Sequence, residues 1–395
     1  MPTRSSRSLS ISGVALAALV AGCGGDPNAN SMMMVSLYPT PTPVGPATAY
    51  PTGLHVAGNQ IVDGAGNVVV LHGANRSGSE YMCVQSGAKI FDGPNDEPSV
   101  AALASWHFNA VRVPLNESCW LGINGAPTAT SGAAYTAAIG AYVTLLHKYG
   151  LIPILELHWV GPGTDLAVRQ QPMPDADHAV DFWTSVANTF AADSGVIFEL
   201  YNEPYPDSNK DTVAGWTCWR DGCTANENVG TNGTPATYQA VGLQALVTAI
   251  RSNTAATNVI LLGGLEYSNA LTQWLAYAPV DPSGNLGAAW HIYSNNACAA
   301  DTCWDMAPEA VAASVPVVAT EIGESDCGGT FITQVMTWLD GQNIGYLAWS
   351  WNAFGACVPA SKTSGGNPWS LVENYNTAVP NSDYANTFYE HMLAL

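Results

Sequence analysis

Two glutamates stand where apolar runs stop. "VIFELYNEPYP", residues 196–206, ends on Asn202, Glu203 and Pro204, and "VPVVATEIG", residues 315–323, carries Glu321 near its end. Charged side chains are rarely buried without a partner. Each carboxylate therefore either meets water where its strand ends or is held on a rigid support for chemistry. Other apolar runs finish on polar or aromatic groups too. Arg112 lies in "NAVRVPL", His158 and Trp159 close "LIPILELHW", His291 and Tyr293 close "GAAWHIY", and Trp349 lies in "IGYLAWSW". A pair of carboxyl groups can divide its labour. One, protonated, donates to a leaving oxygen, and the other stays anionic on the opposite side of the bond, which is the set that hydrolysis of a glycosidic bond requires. Repulsion between two such groups favours one proton on the pair.

Something must bring these run ends together. Eight short apolar runs alternate with longer amphipathic or Ala-rich stretches. The runs cover 68–73, 109–115, 151–159, 195–202, 258–264, 287–293, 315–323 and 344–351. Helices are expected at about 97–106, 133–149, 179–192, 235–253, 268–277, 305–313, 329–341 and 382–393. Strict alternation predicts parallel βα units, and near-continuous apolar strands predict a sheet covered on both faces. No GxGxxG follows a strand, which disfavours an open doubly wound sheet. The expected fold is an α/β (β/α)8 barrel over residues 53–395, entered through an N-terminal β-hairpin with an Asp-Gly-Ala-Gly turn at 63–66. In such a barrel the C-terminal strand ends share one face, so the polar run ends converge there.

Composition narrows the function classes. The chain has 395 residues, 47% of them hydrophobic and only 11% charged, with a formal net charge of −20. Such an anionic chain with no basic patch excludes nucleic acid as a partner. Thirteen Trp and 16 Tyr supply flat faces of the kind on which sugar rings stack. No EF-hand loop, HExxH or P-loop occurs, so no metal, nucleotide or cofactor is expected.

The N-terminus predicts export. Arg4 and Arg7 precede an apolar stretch too short to span a bilayer, and "LVAGC" at 19–23 resembles a bacterial lipoprotein signal. The expected division is a signal peptide at 1–22, lipidation at Cys23, and a Pro- and Thr-rich tether over 23–52. Gly24 is not the Asp that retains lipoproteins at the inner membrane. The expected location is the outer membrane or cell surface through the lipid anchor, or secretion, as a monomer. Setting Cys23 aside leaves eight cysteines in an exported chain, an even number. Cys218 with Cys223 and Cys298 with Cys303 would close short loops. Proximity of the carrying loops pairs Cys83 with Cys119 and Cys327 with Cys357, among 105 possible connectivities.

The ordered set on successive strands resembles glycoside hydrolase family 5, the cellulase and mannanase family of clan A, over about residues 54–393. The resemblance implies Glu203, in Asn-Glu-Pro, as general acid/base and Glu321 as nucleophile. Arg112, His158, Asn202, His291, Tyr293 and Trp349 match its substrate-binding and supporting positions. Glu156 departs from the Asp that family members often carry there, and it shares the face of His158. The implied function is a retaining hydrolase of β-1,4-linked polysaccharide, an endo-β-1,4-glucanase first. A β-mannanase or exo-acting β-glycosidase is the alternative, and a non-catalytic sugar-binding protein is a more distant one. Glu80, Glu199, Glu266, Glu324 and Asp326 are weaker carboxylate candidates. Glu80, Tyr81, Trp120, Trp159, Tyr205, Tyr267, Trp290 and Trp351 are candidate sugar contacts, and the loop at 357–369 is long enough to shape a cleft.

Overall fold

The computed structural model describes residues 37–85, 89–226, 236–362 and 367–395. Cys23 and the signal segment lie outside the described residues. Twelve strands are described: β1 (His55–Ala57), β2 (Gln60–Val62), β3 (His72–Asn75), β4 (Ala110–Asn116), β5 (Ile152–Trp159), β6 (Ile197–Glu199), β7 (Gly222–Asn226), β8 (Thr237–Val241), β9 (Ile260–Gly263), β10 (Leu286–Tyr293), β11 (Val317–Gly323) and β12 (Gly345–Ala348). Eight of them close a parallel barrel in the order β3, β4, β5, β6, β9, β10, β11, β12. This is the (β/α)8 architecture expected from the alternation of the runs.

The barrel interior is layered. Toward the N-terminal end Ala110, Ile152, Ile154, Ile197, Leu261, Ala289, Val318 and Leu347 form one buried apolar cluster. Leu54 and Ile61 of the β1–β2 hairpin join that cluster, so the hairpin plugs the lower mouth. One step up, the same inward parity carries Arg112, Glu156 and Glu199. A second and larger cluster lies between the barrel and its helices. Helix Ala179–Phe190 shows the pattern, burying Phe182, Trp183, Val186, Ala187 and Phe190 along one side.

Several local expectations are corrected. The first barrel strand is His72–Asn75 rather than 68–73, and the fourth stops at Glu199 rather than running to Asn202. The first hairpin turns at Gly58–Asn59, while the Asp-Gly-Ala-Gly segment makes a further turn closed by a bridge from Val62 to Val68. Residues 237–241 form a strand, not the start of a helix at 235, and pair with β7. Their β-branched and aromatic residues suit a ladder, and the helix starts after Gly242. The segment read as a helix over 268–277 instead contains a left-handed turn ending at Ser268 and a short helix, Trp274–Tyr277.

Packing extends upstream of Gly53. The Ala47 N–H donates to Lys148 O at 2.9 Å, and Tyr50 stacks on His147 at 3.8 Å. Four disulfides, Cys83–Cys119, Cys218–Cys223, Cys298–Cys303 and Cys327–Cys357, staple the loops. No described helix is long and apolar enough to cross a membrane.

Candidate active site

Arg112 on β4 organises the upper end of the barrel. Its guanidinium is fully buried and all five N–H groups are used. Nε and Nη2 donate to the two carboxylate oxygens of Glu199 at 2.8 and 3.0 Å. Nη1 donates to Asn75 Oδ1 at 2.9 Å and to Glu321 Oε1 at 2.7 Å. Nη2 also donates to Asn202 Oδ1 at 2.9 Å. One cation thus fixes a carboxylate on β6, a carboxylate on β11 and the amide beyond β6. Glu199 takes a further bond from Thr320 Oγ1 at 3.1 Å. Burial pushes its proton affinity up, but Arg112 and His291 together outweigh it, so it is held below the usual carboxylate range.

The orientation of Glu321 has a backbone cause. Going up β10 and β11 together, Ala289 faces Val318 but His291 faces Glu321, so β11 carries one extra residue there. Such a bulge lets Thr320 and Glu321 both turn inward, against strict alternation. Tyr293 Oη donates to Glu321 Oε2 at 2.5 Å, opposite the Arg112 contact on Oε1. Burial, then the charges of Glu321 and Glu203, pushes the Tyr293 phenol well above its ordinary range, and it remains a donor.

Glu203 reaches the same place by another route. β6 ends at Glu199; the Asn202 N–H still donates to Leu157 O of β5 at 3.1 Å, but Asn202 and Glu203 lie past the regular strand and are not bound by its alternation. His291 Nδ1 lies 3.0 Å from Glu203 Oε1 and 3.6 Å from Glu321 Oε2. One carboxylate oxygen of each glutamate and a nitrogen of His291 all lie within 4.8 Å of one another. Burial alone would depress the His291 imidazolium. The carboxylates of Glu321, Glu199 and Glu203 outweigh it, and its pKa is raised to about 9. At neutral pH a positive ring sits between two carboxylates.

The wall on the β5 side is a hydrogen-bonded chain. Because Arg112 donates to Asn202 Oδ1, the amide nitrogen must face the other way. It donates to Gln170 Oε1 at 2.8 Å and meets His158 Nε2 at 3.3 Å. His158 then carries its proton on Nδ1, facing Glu156 Oε2 at 2.9 Å. Gln170 Nε2 donates to the Glu203 carbonyl at 2.9 Å. Trp349 stacks over His158 with centroids 5.6 Å apart.

These groups line a cavity of about 340 Å³. Its wall holds His158, Asn202, Glu203, Tyr293, Glu321 and Trp349, with Arg112 and His291 buried just behind. Tyr267, a candidate sugar contact from the sequence, also lines it, and Gln170, Asn295, Asn296 and Trp369, none of which was singled out from the sequence, complete it. Gln170 and Trp369 come from irregular loops with no periodic signal, although the length of the 357–369 loop pointed toward the cleft. Trp120, Trp290 and Trp351 belong to the core instead of the cleft, and Glu80 is buried with Oε2 on the Gly78 N–H at 2.7 Å.

The loop that carries Gln170 rests on a pair of buried carboxyl groups. Glu117 accepts from the Gly161 N–H at 3.1 Å, and Asp175 accepts from the N–H groups of Asp177 and His178 at 3.0 and 2.8 Å. Glu117 Oε1 and Asp175 Oδ2 are buried with no separate donor among the described residues, so a proton is shared between the two side chains. Burial first, and Asp175 second, raises Glu117 well above the ordinary carboxyl value. Asp177 and His178 also face the pair, the first disfavouring ionisation and the second favouring it. A group with a raised folded value stabilises fully below its unfolded value and loses that contribution as pH rises through the folded one. Stability is therefore expected to fall from about pH 5 toward alkaline pH, by at most about 1.4 kcal/mol per pH unit for one proton. Glu117→Gln places a permanent donor opposite Asp175 and is expected to flatten that fall. Urea midpoints across the pH range check it, and parallel wild-type and variant curves would refute the shared proton.

A sequence model described as Cellulase (glycosyl hydrolase family 5) matches residues 63–355. A mannan endo-1,4-beta-mannosidase of Streptomyces lividans is 26% identical over 337 residues, 82% of this chain and 75% of its own length. Among solved structures, a beta-glucanase from Saccharophagus degradans superposes with TM-score 0.62 at 17% identity, covering 90% of this chain and 97% of its own. The catalytic domain of a mannanase from Streptomyces sp. SirexAA-E gives TM-score 0.57 at 21% identity, covering 87% and 93%. At these identities the structural likenesses speak for the fold.

Proposed function

Because the chain belongs to the cellulase family, glycosyl hydrolase family 5, we propose that it cleaves β-1,4-linked polysaccharide by double displacement with retention, Glu321 as nucleophile and Glu203 as acid/base. The observation that carries this reading is the closeness of the two carboxylates, with oxygens within 4.8 Å of each other around His291. Carboxyl groups roughly 5–5.5 Å apart leave no room for a water between nucleophile and sugar, which favours a covalent intermediate over direct attack by water.

The steps follow from the contacts. Arg112 and Tyr293 each donate to one oxygen of Glu321 and hold the carboxylate aimed. Glu203 and His291, joined at 3.0 Å, hold the proton that passes to the leaving oxygen. Attack by Glu321 breaks the glycosidic bond and forms a glycosyl ester, which removes the Glu321 charge. That charge is the largest influence raising His291. The Glu203–His291 pair is then less able to hold a proton, and Glu203 acts as base toward the incoming water. Asn202, fixed by Arg112 and Gln170, is placed to bond the sugar 2-hydroxyl, and Trp349 floors the reacting ring.

A β-1,4-glucan is the first choice of substrate and endo cleavage the mode. The mannan reading rests on the Streptomyces lividans relative, which is a mannosidase by name. Export with lipid attachment at Cys23 and action as a monomer complete the proposal, supported by the N-terminal sequence and the four disulfides. The test is hydrolysis of carboxymethylcellulose, mannan and xylan, with proton NMR of the first-formed product. The expected result is a falling viscosity on glucan and an initial β-anomer. An initial α-anomer would refute the double displacement, and faster cleavage of mannan would move the substrate assignment.

A further inference from the structure

Glu156 has no part in the steps above, yet it is buried inside the barrel on β5, two residues before His158. Its Oε2 meets His158 Nδ1 at 2.9 Å and lies 3.5 Å from Arg112 Nη2. Its Oε1 is buried with no hydrogen-bond partner among the described residues. An apolar side chain would fill this place at less cost, so packing alone does not account for a carboxylate.

The reason lies on the other side of His158. Asn202 Oδ1 accepts from Arg112 Nη2 at 2.9 Å, so the amide cannot turn over. Of the two amide protons, one goes to Gln170 Oε1 at 2.8 Å and the other points to His158 Nε2 at 3.3 Å. Nε2 must then present a lone pair, and Nδ1 must hold the one proton of the ring. A carboxylate at Nδ1 enforces that tautomer. A second proton on the ring would set an N–H against the Asn202 amide, and the Arg112 bond forbids the flip that would relieve it.

The charged groups facing His158 are Glu156, Arg112 on β4 and Glu80 on the short helix Ser79–Met82. Burial lowers the proton affinity of the ring. Glu156, by charge and hydrogen bond, and Glu80 outweigh burial and Arg112, so it is raised above its ordinary value. Glu80 is itself pushed up to about 7 by burial, so its charge fades as pH falls and Glu156 remains. Burial raises Glu156 as well, so the two side chains compete for an added proton. On Oε1 that proton would find no acceptor among the described residues. On Nε2 it reaches the cavity, whose wall His158 forms.

We propose that Glu156 is a positioning residue, acting through His158 on Asn202, and that it sets the acidic limit of activity. With one proton on His158, Asn202 is held for the sugar 2-hydroxyl. A second proton displaces the amide, and the contact goes with it. This rests on the hydrolase reading above, in which Asn202 binds that hydroxyl. Neutral His158 is the active form and the Glu156 charge favours the protonated one, so removing that charge extends activity toward acid pH.

The experiment measures kcat/KM against pH for wild type and Glu156→Gln, on an aryl β-cellobioside and on its analogue lacking the 2-hydroxyl of the reacting sugar. Glutamine keeps an acceptor for Nδ1 without the charge. On the parent glycoside the acid limb of the variant is expected at least about one pH unit below that of wild type. On the 2-deoxy analogue, which cannot use Asn202, the two enzymes should share one acid limb. Coincident limbs on the parent, or a loss equal at every pH, would overturn the role of Glu156 while leaving the hydrolase reading intact. Should Glu156→Gln not fold, nitrogen-15 NMR of wild type decides, with His158 assigned from His158→Gln. Nε2 should take up its proton at the pH of the acid limb, and the Asn202 side-chain amide should shift with it. A His158 midpoint away from that limb, or an Asn202 amide that ignores it, overturns the proposal. A wild type that cleaves neither glycoside defeats the hydrolase reading and the acid limit with it.

Discussion

Glu321→Gln is expected to lower kcat on every β-1,4-glycoside by at least about 10³, because an amide cannot attack the anomeric carbon and the covalent route closes. Glu203→Gln should divide by leaving group. General acid help contributes about 10²–10⁴, and natural polysaccharide, whose leaving alkoxide needs a proton, loses it in full. An activated aryl glycoside leaves without a proton, so its first step survives while the second, lacking a base, stalls. The Glu203 variant should then release one burst of phenol per site and gain the mass of the glycosyl group. The fold should tolerate both changes. Glu321 shares Arg112 with Glu199, which is fully buried, so the guanidinium keeps an anionic partner. Turnover near wild type in either variant would refute the assignment of roles.

The barrel was legible because eight apolar runs alternate with helices, and the site because its groups sit at run ends. What escaped was set by irregular backbone. Alternation cannot place both Thr320 and Glu321 inward, and only the extra residue in β11 does so. Asn202 and Glu203 posed the same difficulty. The answer there was a strand that stops three residues earlier than its apolar run, since Leu200 and Tyr201 pack as buried residues outside the strand. Gln170 carries no periodic signal and acts through Asn202 and the Glu203 carbonyl. The left-handed turns at 207–209 and 266–268 are written in residues with no unusual turn preference apart from Asn and Asp. Glu199 was different. The sequence offered it only as a weaker carboxylate candidate, and its partner emerges from the fold, where Arg112 meets it with two bonds while His291 stands 3.8 Å away.

Arg112→Lys is expected to cost both stability and activity, and the two losses can be separated. An ammonium has three donors in place of five and cannot hold Glu199 through both oxygens while reaching Asn75, Asn202 and Glu321. Lysine keeps the charge but leaves an anion it cannot reach poorly compensated, and outright loss of a buried partner, about 3–5 kcal/mol, sets the upper bound of the cost. Of the two carboxylates that Arg112 hydrogen-bonds, Glu199 has no exposure, whereas Glu321 borders the cavity; Glu156, 3.5 Å from the guanidinium and equally buried, keeps its bond to His158. Stability therefore tracks the Arg112–Glu199 contact. Activity tracks the Arg112–Glu321 contact, a preorganised donor whose loss costs about 10²–10³ in kcat. Adding Glu199→Gln to Arg112→Lys neutralises the stranded anion and should recover much of the stability while leaving kcat low. Denaturation midpoints and kcat on one soluble glucan, for both single variants and the double, close the cycle. If stability and kcat return together in the double variant, Arg112 serves the fold alone, and the positioning of Glu321 must be sought in Tyr293.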